Sequence, residues 1–256
     1  MNEFHKEVTD RLVLNGQSKE LKQAASAFML ASTEPKYSYN FSWQGRPIIQ
    51  YPQDMIAMQE LIWDIKPDLI IETGIAHGGS LIFNASMLAL LDMYEAIYEN
   101  RPLDPKKSTR RVLGIDIDIR EHNRRAIEAH PLNCMIDMIQ GSSVESGLIA
   151  QVSQIAKGYS KVLVCLDSNH THEHVLAELE AYAPLTSRGS YCVVFDTIIE
   201  ELPDGMYPNR TWGPGNNPKT AVLAYLKSHP EFAIDKSIDN KLLISVAPDG
   251  YLKRLA

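Results

Sequence analysis

From residue 68 onward the chain alternates five times between a short apolar run and a longer stretch of helical period, and that alternation leaves few folds open. DLIIETG (68–74) gives way to SLIFNASMLALLDMYEAI (80–97), and RRVLGIDID (110–118) to REHNRRAIEAH (120–130). MIDMIQGSS (135–143) precedes SGLIAQVSQIAK, KVLVCLD (161–167) precedes THEHVLAELEAYA, and SYCVVFD (190–196) precedes a Pro/Gly-rich loop and NPKTAVLAYLKSH. Strands alternating with helices predict a mostly parallel sheet covered on both faces, a three-layer α/β fold. FAIDKSI (232–238) and KLLISVAP (241–248), separated by DN, predict a closing antiparallel hairpin. Right-handed crossovers bring the C-terminal strand ends to one edge, where ligands bind.

The first 50 residues break this pattern. Residues 5–30 predict helix, and YSYNFSWQGRPIIQYPQD (37–54) predicts an ordered aromatic loop. We expect residues 1–50 to be a helical and loop extension packed on a core domain of residues 51–256. Asp54 is placed to cap the helix MIAMQELIWDI. With 256 residues, 45% apolar, the chain can bury one substantial core. A net charge of −7 argues against nonspecific nucleic-acid binding. Neither a signal peptide nor a transmembrane segment is expected. Cys134, Cys165 and Cys192 form no short pairing pattern, two of them lie in apolar runs, and a reducing, cytoplasmic setting is expected.

The chemistry should lie at the strand ends. After the first strand comes Glu72-Thr-Gly74-Ile-Ala76-His77-Gly78-Gly79-Ser80. Gly74 allows a sharp turn, and the later glycines bare backbone N–H groups to a ligand. The alternative is a glycine-rich turn that merely saves space. Asp116 ends the second strand and could accept both hydroxyls of a ribose, leaving Asp118 solvated or capping. Ser142 and Ser143 either meet an adenine edge or cap the next helix. Asp167 and Asp196 end the fourth and fifth strands. If those strands are neighbours, the two carboxylates share one crevice and invite a hard cation such as Mg2+, or a protonated histidine. Otherwise Asp167 caps the following helix and Asp196 sits in a turn.

His170, His172 and His174 lie in NHTHEH. Residues two apart on a helix do not share a face. The three could therefore bind one zinc ion only from a loop, in the manner of metallo-β-lactamase-type hydrolases. His170 is the better functional candidate, and His172 and His174 read as solvated helix surface. Tyr207, Arg210 and Trp212, within the long loop 198–218, are suited to stack on and hydrogen-bond a sugar, although a packed surface loop is an equal reading. The aromatic segment 37–43 would close the other wall or pack between subunits.

FSWQGRPIIQYPQD, ETGIAHGGSL, GIDIDIR, LDSNHTHEHVLAELEAYAPL and WGPGNNP together resemble the family labelled cephalosporin hydroxylase, which includes rhamnosyl O-methyltransferases. Its members are similar to class I S-adenosylmethionine-dependent methyltransferases, and the likeness runs from about residue 40 to the C-terminus. The resemblance implies a Rossmann-like sheet of seven strands, with the last two a hairpin. It implies that Glu72 and Gly74 hold the methionine end of S-adenosylmethionine, within a cofactor site that takes in Ala76, His77, Gly78, Ser80, Ser142, Ser143 and Asp167. Asp116 would grip the ribose, and Asp167 and Asp196 would ligate Mg2+. Relatives carry two consecutive polar ligands at the fifth strand, where this chain has Phe195-Asp196, so that either Mg2+ binds with fewer protein ligands and more water or the metal is absent and His170 works alone as base. The expected activity is O-methylation of a hydroxyl on a sugar of a glycolipid or polysaccharide, or on a secondary metabolite. His170 would be the base, with Asp167 and Asp196 orienting cation and acceptor. A homo-oligomer acting on a small-molecule or glycan acceptor is implied. A zinc hydrolase and an inactive S-adenosylmethionine-binding protein are the alternatives.

Overall fold

The computed structural model describes residues 3–255. Two helices open the chain, α1 (Glu3–Gln17) and α2 (Lys19–Thr33), so the expected single helical stretch is broken. The break is at Ser18, whose Oγ accepts a hydrogen bond from Leu21 N and so caps α2. The expected aromatic loop holds a small hairpin, β1 (Phe41–Trp43) and β2 (Arg46–Ile48). Gln44 and Gly45 both take positive φ at its turn, the conformation that matches strand twist in a two-residue hairpin.

The core begins with α3 (Pro52–Ile65). Then follow β3 (Leu69–Thr73), α4 (Gly79–Tyr98), β4 (Arg111–Asp116), α5 (Glu121–Glu128), β5 (Ile136–Gln140), α6 (Ser146–Ala156), β6 (Val162–Leu166), α7 (His172–Tyr182) and β7 (Tyr191–Val194). The chain closes with α8 (Pro218–Tyr225), β8 (Phe232–Ile234), α9 (Lys236–Leu242) and β9 (Tyr251–Arg254). The sheet runs β5-β4-β3-β6-β7-β9-β8, with β3 to β7 parallel and β9 antiparallel to both β7 and β8. β3 and β6 are fully buried along their lengths, as the continuous runs LII and VLVCL require. One apolar layer packs α3 and α4 on one face of the sheet, and a second packs α6, α7 and α8 on the other.

The closing pair of strands is antiparallel as expected, but its second member lies elsewhere. KLLISVAP is not a strand: Lys236–Leu242 form a helix, and YLKR is the strand that joins the sheet. Asp235 starts that helix by accepting from Ser237 N at 3.0 Å, a local cap that competes with a tight hairpin turn. Asp54 also departs from expectation. α3 starts three residues earlier, after Tyr51, and Asp54 is buried at 1% exposure. Its carboxylate accepts from Ser245 Oγ at 2.6 Å, Val246 N at 3.0 Å and Tyr251 OH at 2.8 Å, tying α3 to the C-terminal loop.

α4 has the length and composition of a membrane span. Twelve of its 20 residues are nevertheless buried, against the sheet and the β1–β2 hairpin, which is the position of a core helix.

Candidate active site

The strand order reverses between β3 and β6, and the loops that leave these two strands part there. The turn after β3 approaches β6 so closely that a Cβ on Gly74 would lie 2.1 Å from the Asp167 carbonyl oxygen. Gly74 has φ +90°, so only glycine meets both demands. Gly79 is constrained from the other side, since a Cβ there would lie 2.1 Å from Pro47 O in the hairpin.

Asp116 stands at the tip of β4 and holds this turn. Its Oδ2 accepts from Ile75 N at 2.7 Å and Ala76 N at 3.3 Å, and its Oδ1 from Asp118 N at 3.0 Å. Two further residues, which carry no local sequence signal, pin the turn from outside. Arg46 donates through Nε to His77 O at 3.0 Å and through Nη2 to Asn123 Oδ1 at 2.9 Å, and Asn123 Nδ2 donates to Ala76 O at 2.9 Å. The polypeptide around Ile75–Gly79 is therefore fixed before any ligand arrives.

Glu72 lies one layer deeper. It is buried and accepts from Ser80 Oγ and from Asn84 Nδ2, the latter at 2.8 Å. Burial pushes its carboxyl up to about 7 against these two hydrogen bonds. It lines a small cavity of about 30 Å3 with Gln50, Asp54, Asn84 and Asp167, room for one water.

The main cavity, about 620 Å3, opens above the strand ends and is within the size range of small-molecule sites. Gly74, Ala76, His77 and Ser80 line one side, and Asp167, His170 and Asp196 form part of the floor. β6 and β7 are neighbours, as the shared crevice requires. Ligand atoms of Asp167, His170 and Asp196 all lie within 4.8 Å of one another, and His170 Nε2 is 3.2 Å from Asp196 Oδ2. Asp196 has φ +56°, a left-handed conformation that aspartate tolerates better than most residues. Burial, and next the neighbouring Asp196, push the Asp167 carboxyl well above the usual carboxylate range. Two carboxylates at this spacing fit a divalent cation, whose charge would relieve that repulsion, with the imidazole beside them. Phe195 packs into the apolar core at 7% exposure.

Asp167 does not cap α7; Asn169 Oδ1 accepts from Thr171 N at 2.9 Å and shapes the approach to that helix instead. Neither Ser142 nor Ser143 caps α6, whose N-cap position is Glu145. Ser143 is buried, with its Oγ 3.1 Å from His174 Nε2, and neither serine lines the main cavity. His172 and His174 are half-buried rather than solvated. His172 Nδ1 meets Thr220 Oγ1 at 2.8 Å, and His174 meets Ser143, Ser168 and Glu178. The three histidines thus serve three different neighbourhoods. Among the described residues only His170 joins a cluster able to hold a metal, which removes the basis for an NHTHEH zinc site.

The opposite wall comes from the N-terminal segment and the long loop. Met29 and Thr33 of α2 line the cavity with Lys36 and Tyr39, facing Tyr207, Arg210 and Trp212. Trp212 meets His170 edge-on at 5.4 Å, Tyr207 at 5.1 Å, and the Arg210 guanidinium at 5.7 Å.

The rhamnosyl O-methyltransferase of Mycobacterium tuberculosis (strain H37Rv) is 30% identical over 203 residues, 78% of this chain and 73% of that protein. Its counterpart in Mycobacterium leprae is 27% identical over 215 residues, 83% of this chain and 82% of the other. A structure of CmcI-N160 with SAH superposes with a TM-score of 0.55 at 19% identity, covering 84% of this chain and 83% of that one. CmcI-D160 with Mg and SAM gives 0.52 at 17% identity, covering 85% and 78%. The profile described as Rhamnosyl O-methyltransferase/CmcI matches residues 35–255. The chain therefore belongs to the rhamnosyl O-methyltransferase/CmcI family.

Proposed function

We propose that this O-methyltransferase acts on a sugar hydroxyl, with a divalent cation held by Asp167 and Asp196 and with His170 as the base. The single observation that carries the reading is the convergence of Asp167, His170 and Asp196 within 4.8 Å on the floor of the cavity that the glycine turn lines. Relatives named rhamnosyl O-methyltransferase support the sugar acceptor, and CmcI structures with Mg, SAM and SAH support the cofactors.

Bound there, S-adenosylmethionine supplies the sulfonium methyl and the cation lowers the cost of negative charge on the acceptor oxygen. The chain's own residues do the rest. The backbone of Ile75–Gly79, fixed by Asp116, Arg46 and Asn123, holds the cofactor's adenosyl side, and Asp116 Oδ1 keeps one lone pair free for a ribose hydroxyl. Asp167 and Asp196 orient the acceptor hydroxyl, and His170 Nε2 takes its proton. The Trp212 edge against the imidazole restricts where His170 can swing. Tyr207, Trp212 and Tyr39 offer flat faces to a sugar ring, with Arg210 as donor. In this reading residues 51–256 are the catalytic domain, and the extension 1–50 contributes the acceptor wall through α2. Buried, free Cys165 and Cys192 accord with a cytoplasmic setting.

The test is transfer of labelled methyl from S-adenosylmethionine to a panel of rhamnosides and other glycosides, with and without Mg2+. Transfer to at least one glycoside is expected. His170→Ala should lower kcat about 100-fold while S-adenosylmethionine affinity stays within about twofold. Unchanged turnover in that variant would remove His170 from the mechanism.

A further inference from the structure

The geometry points to His174 as a positioning residue that joins the two loops on which the site is built, an inference that rests on the methyl-transfer reading above. His174 Nε2 lies 3.1 Å from Ser143 Oγ and 3.2 Å from Ser168 Oγ. These hydroxyls belong to different strand-end loops. Ser143 follows β5, two residues past Gly141, whose N–H donates to Asp116 O at 2.9 Å. Ser168 follows Asp167 directly and stands two residues before His170. One imidazole nitrogen, with a single hydrogen-bonding site to share, therefore sits between the loop after β5, which reaches Asp116 through Gly141, and the loop that carries Asp167 and His170.

The support behind this bridge is built from α7 alone. Glu178, one turn after His174, is fully buried. Its Oε1 accepts from Ser168 Oγ at 2.7 Å and lies 3.5 Å from His174 Nε2. Its Oε2 has no partner among the described residues, a costly arrangement for an oxygen that only fills space. Tyr182, one turn further, donates to Ser143 O at 2.6 Å. Residues 174, 178 and 182 share one helix face, and that face holds both loops at once. None of the three lines the main cavity, so none needs to touch the cofactor or acceptor.

Two loops sharing one clamp should be ordered together. A ligand that fixes the loop after β5 then lowers the cost of fixing Asp167, and the effect is reciprocal. Cofactor and cation should consequently bind cooperatively through residues that contact neither.

The experiment is calorimetric titration of Mg2+ into the full chain, alone and with saturating S-adenosylhomocysteine, whose neutral sulfur avoids direct repulsion of the ion. Wild type should bind Mg2+ about tenfold more tightly with the cofactor product present. Ser168→Ala and His174→Gln should reduce that factor to below about threefold, with affinity for S-adenosylhomocysteine alone within about twofold. Ser168→Thr keeps the hydroxyl and should keep the tenfold factor. Ser168 is exposed, so its alanine variant tests the bridge even if His174→Gln fails to fold. A wild-type factor of one, no Mg2+ binding, or an unchanged factor in Ser168→Ala would overturn the bridge. Failure of wild type to bind S-adenosylhomocysteine would instead overturn the methyl-transfer reading, and the bridge with it.

Discussion

The turn after β3 and the loop after β7 both leave the same edge of the sheet through a left-handed residue, Gly74 at φ +90° and Asp196 at φ +56°, yet they are stabilised in opposite ways. The first turn is locked through its backbone: Asp116, Arg46 and Asn123 take up the polar groups of Ile75, Ala76 and His77. The second is anchored at its start, by Thr197 Oγ1 donating to Pro248 O at 2.7 Å and Ile198 N to Val246 O at 3.1 Å. It then runs out to exposed Tyr207 and Arg210. The turn is held along its length, whereas the loop is tied at both ends, Glu200 Oε2 accepting from Gly215 N at 2.7 Å and Asn216 Oδ1 from His172 N at 2.8 Å, and leaves its middle, around Tyr207 and Arg210, exposed.

The largest expected break in this comparison is Gly74→Ala. A Cβ there meets the Asp167 backbone and must also adopt positive φ, so stability should fall by about 3 kcal/mol or more and cofactor binding should be lost. Urea unfolding and S-adenosylhomocysteine titration would measure both. A fully stable, binding-competent Gly74→Ala protein would show that the turn is not locked.

The buried acids beneath the site give a pH signature of nearly the same size. Asp54 and Glu72 have carboxyls raised to about 6 and about 7 by burial. The folded chain therefore holds their protons to higher pH than the unfolded chain does. Their contribution favours folding at acid pH and is lost as pH rises from the ordinary carboxylate range through 6 to 7, with no further change above. Each accounts for about 3 kcal/mol. Glu72→Gln should raise stability at pH 8 by up to that amount and flatten the dependence between pH 4 and 8, as read from urea midpoints. An equal pH slope in wild type and variant would show that Glu72 titrates normally.

On the acceptor side the effects should be smaller and selective. Trp212→Ala should weaken glycoside binding roughly tenfold while leaving S-adenosylhomocysteine affinity unchanged. Equal losses for both ligands would mean that the loop serves the whole cavity. At the bottom of the scale, Glu173→Gln changes an exposed residue between two inward-tied histidines. Its thermal stability should stay within about 0.5 kcal/mol of wild type.

Much of this was legible from residues alone where the signal is local. The strand–helix alternation gave the parallel sheet, and the strand-end acids Asp116, Asp167 and Asp196 were found because topology forces such ends together. The closing strand was misplaced because KLLISVAP and YLKR are equally strand-like, and pairing with β7 selected the second. Asp54 looked like a cap because capping is read from spacing, whereas its partners Ser245 and Tyr251 lie almost 200 residues away. His172 and His174 read as solvent-facing for the same reason. The spacing of His174 to Glu178 could have warned of an inward pair, since residues four apart share a face.

By itself the sequence determined the layered fold, the glycine turn and the identity of the acids in the crevice, because period, φ requirement and strand order are properties of short segments. Only the tertiary structure decided which side chains spend their hydrogen bonds on the scaffold and which remain for a ligand. It also brought α2 to the cavity wall, sent three neighbouring histidines to three neighbourhoods, and buried Glu72 and Glu178. Those outcomes depend on contacts between segments far apart in the chain, where burial and the need to satisfy polar groups outweigh local preference.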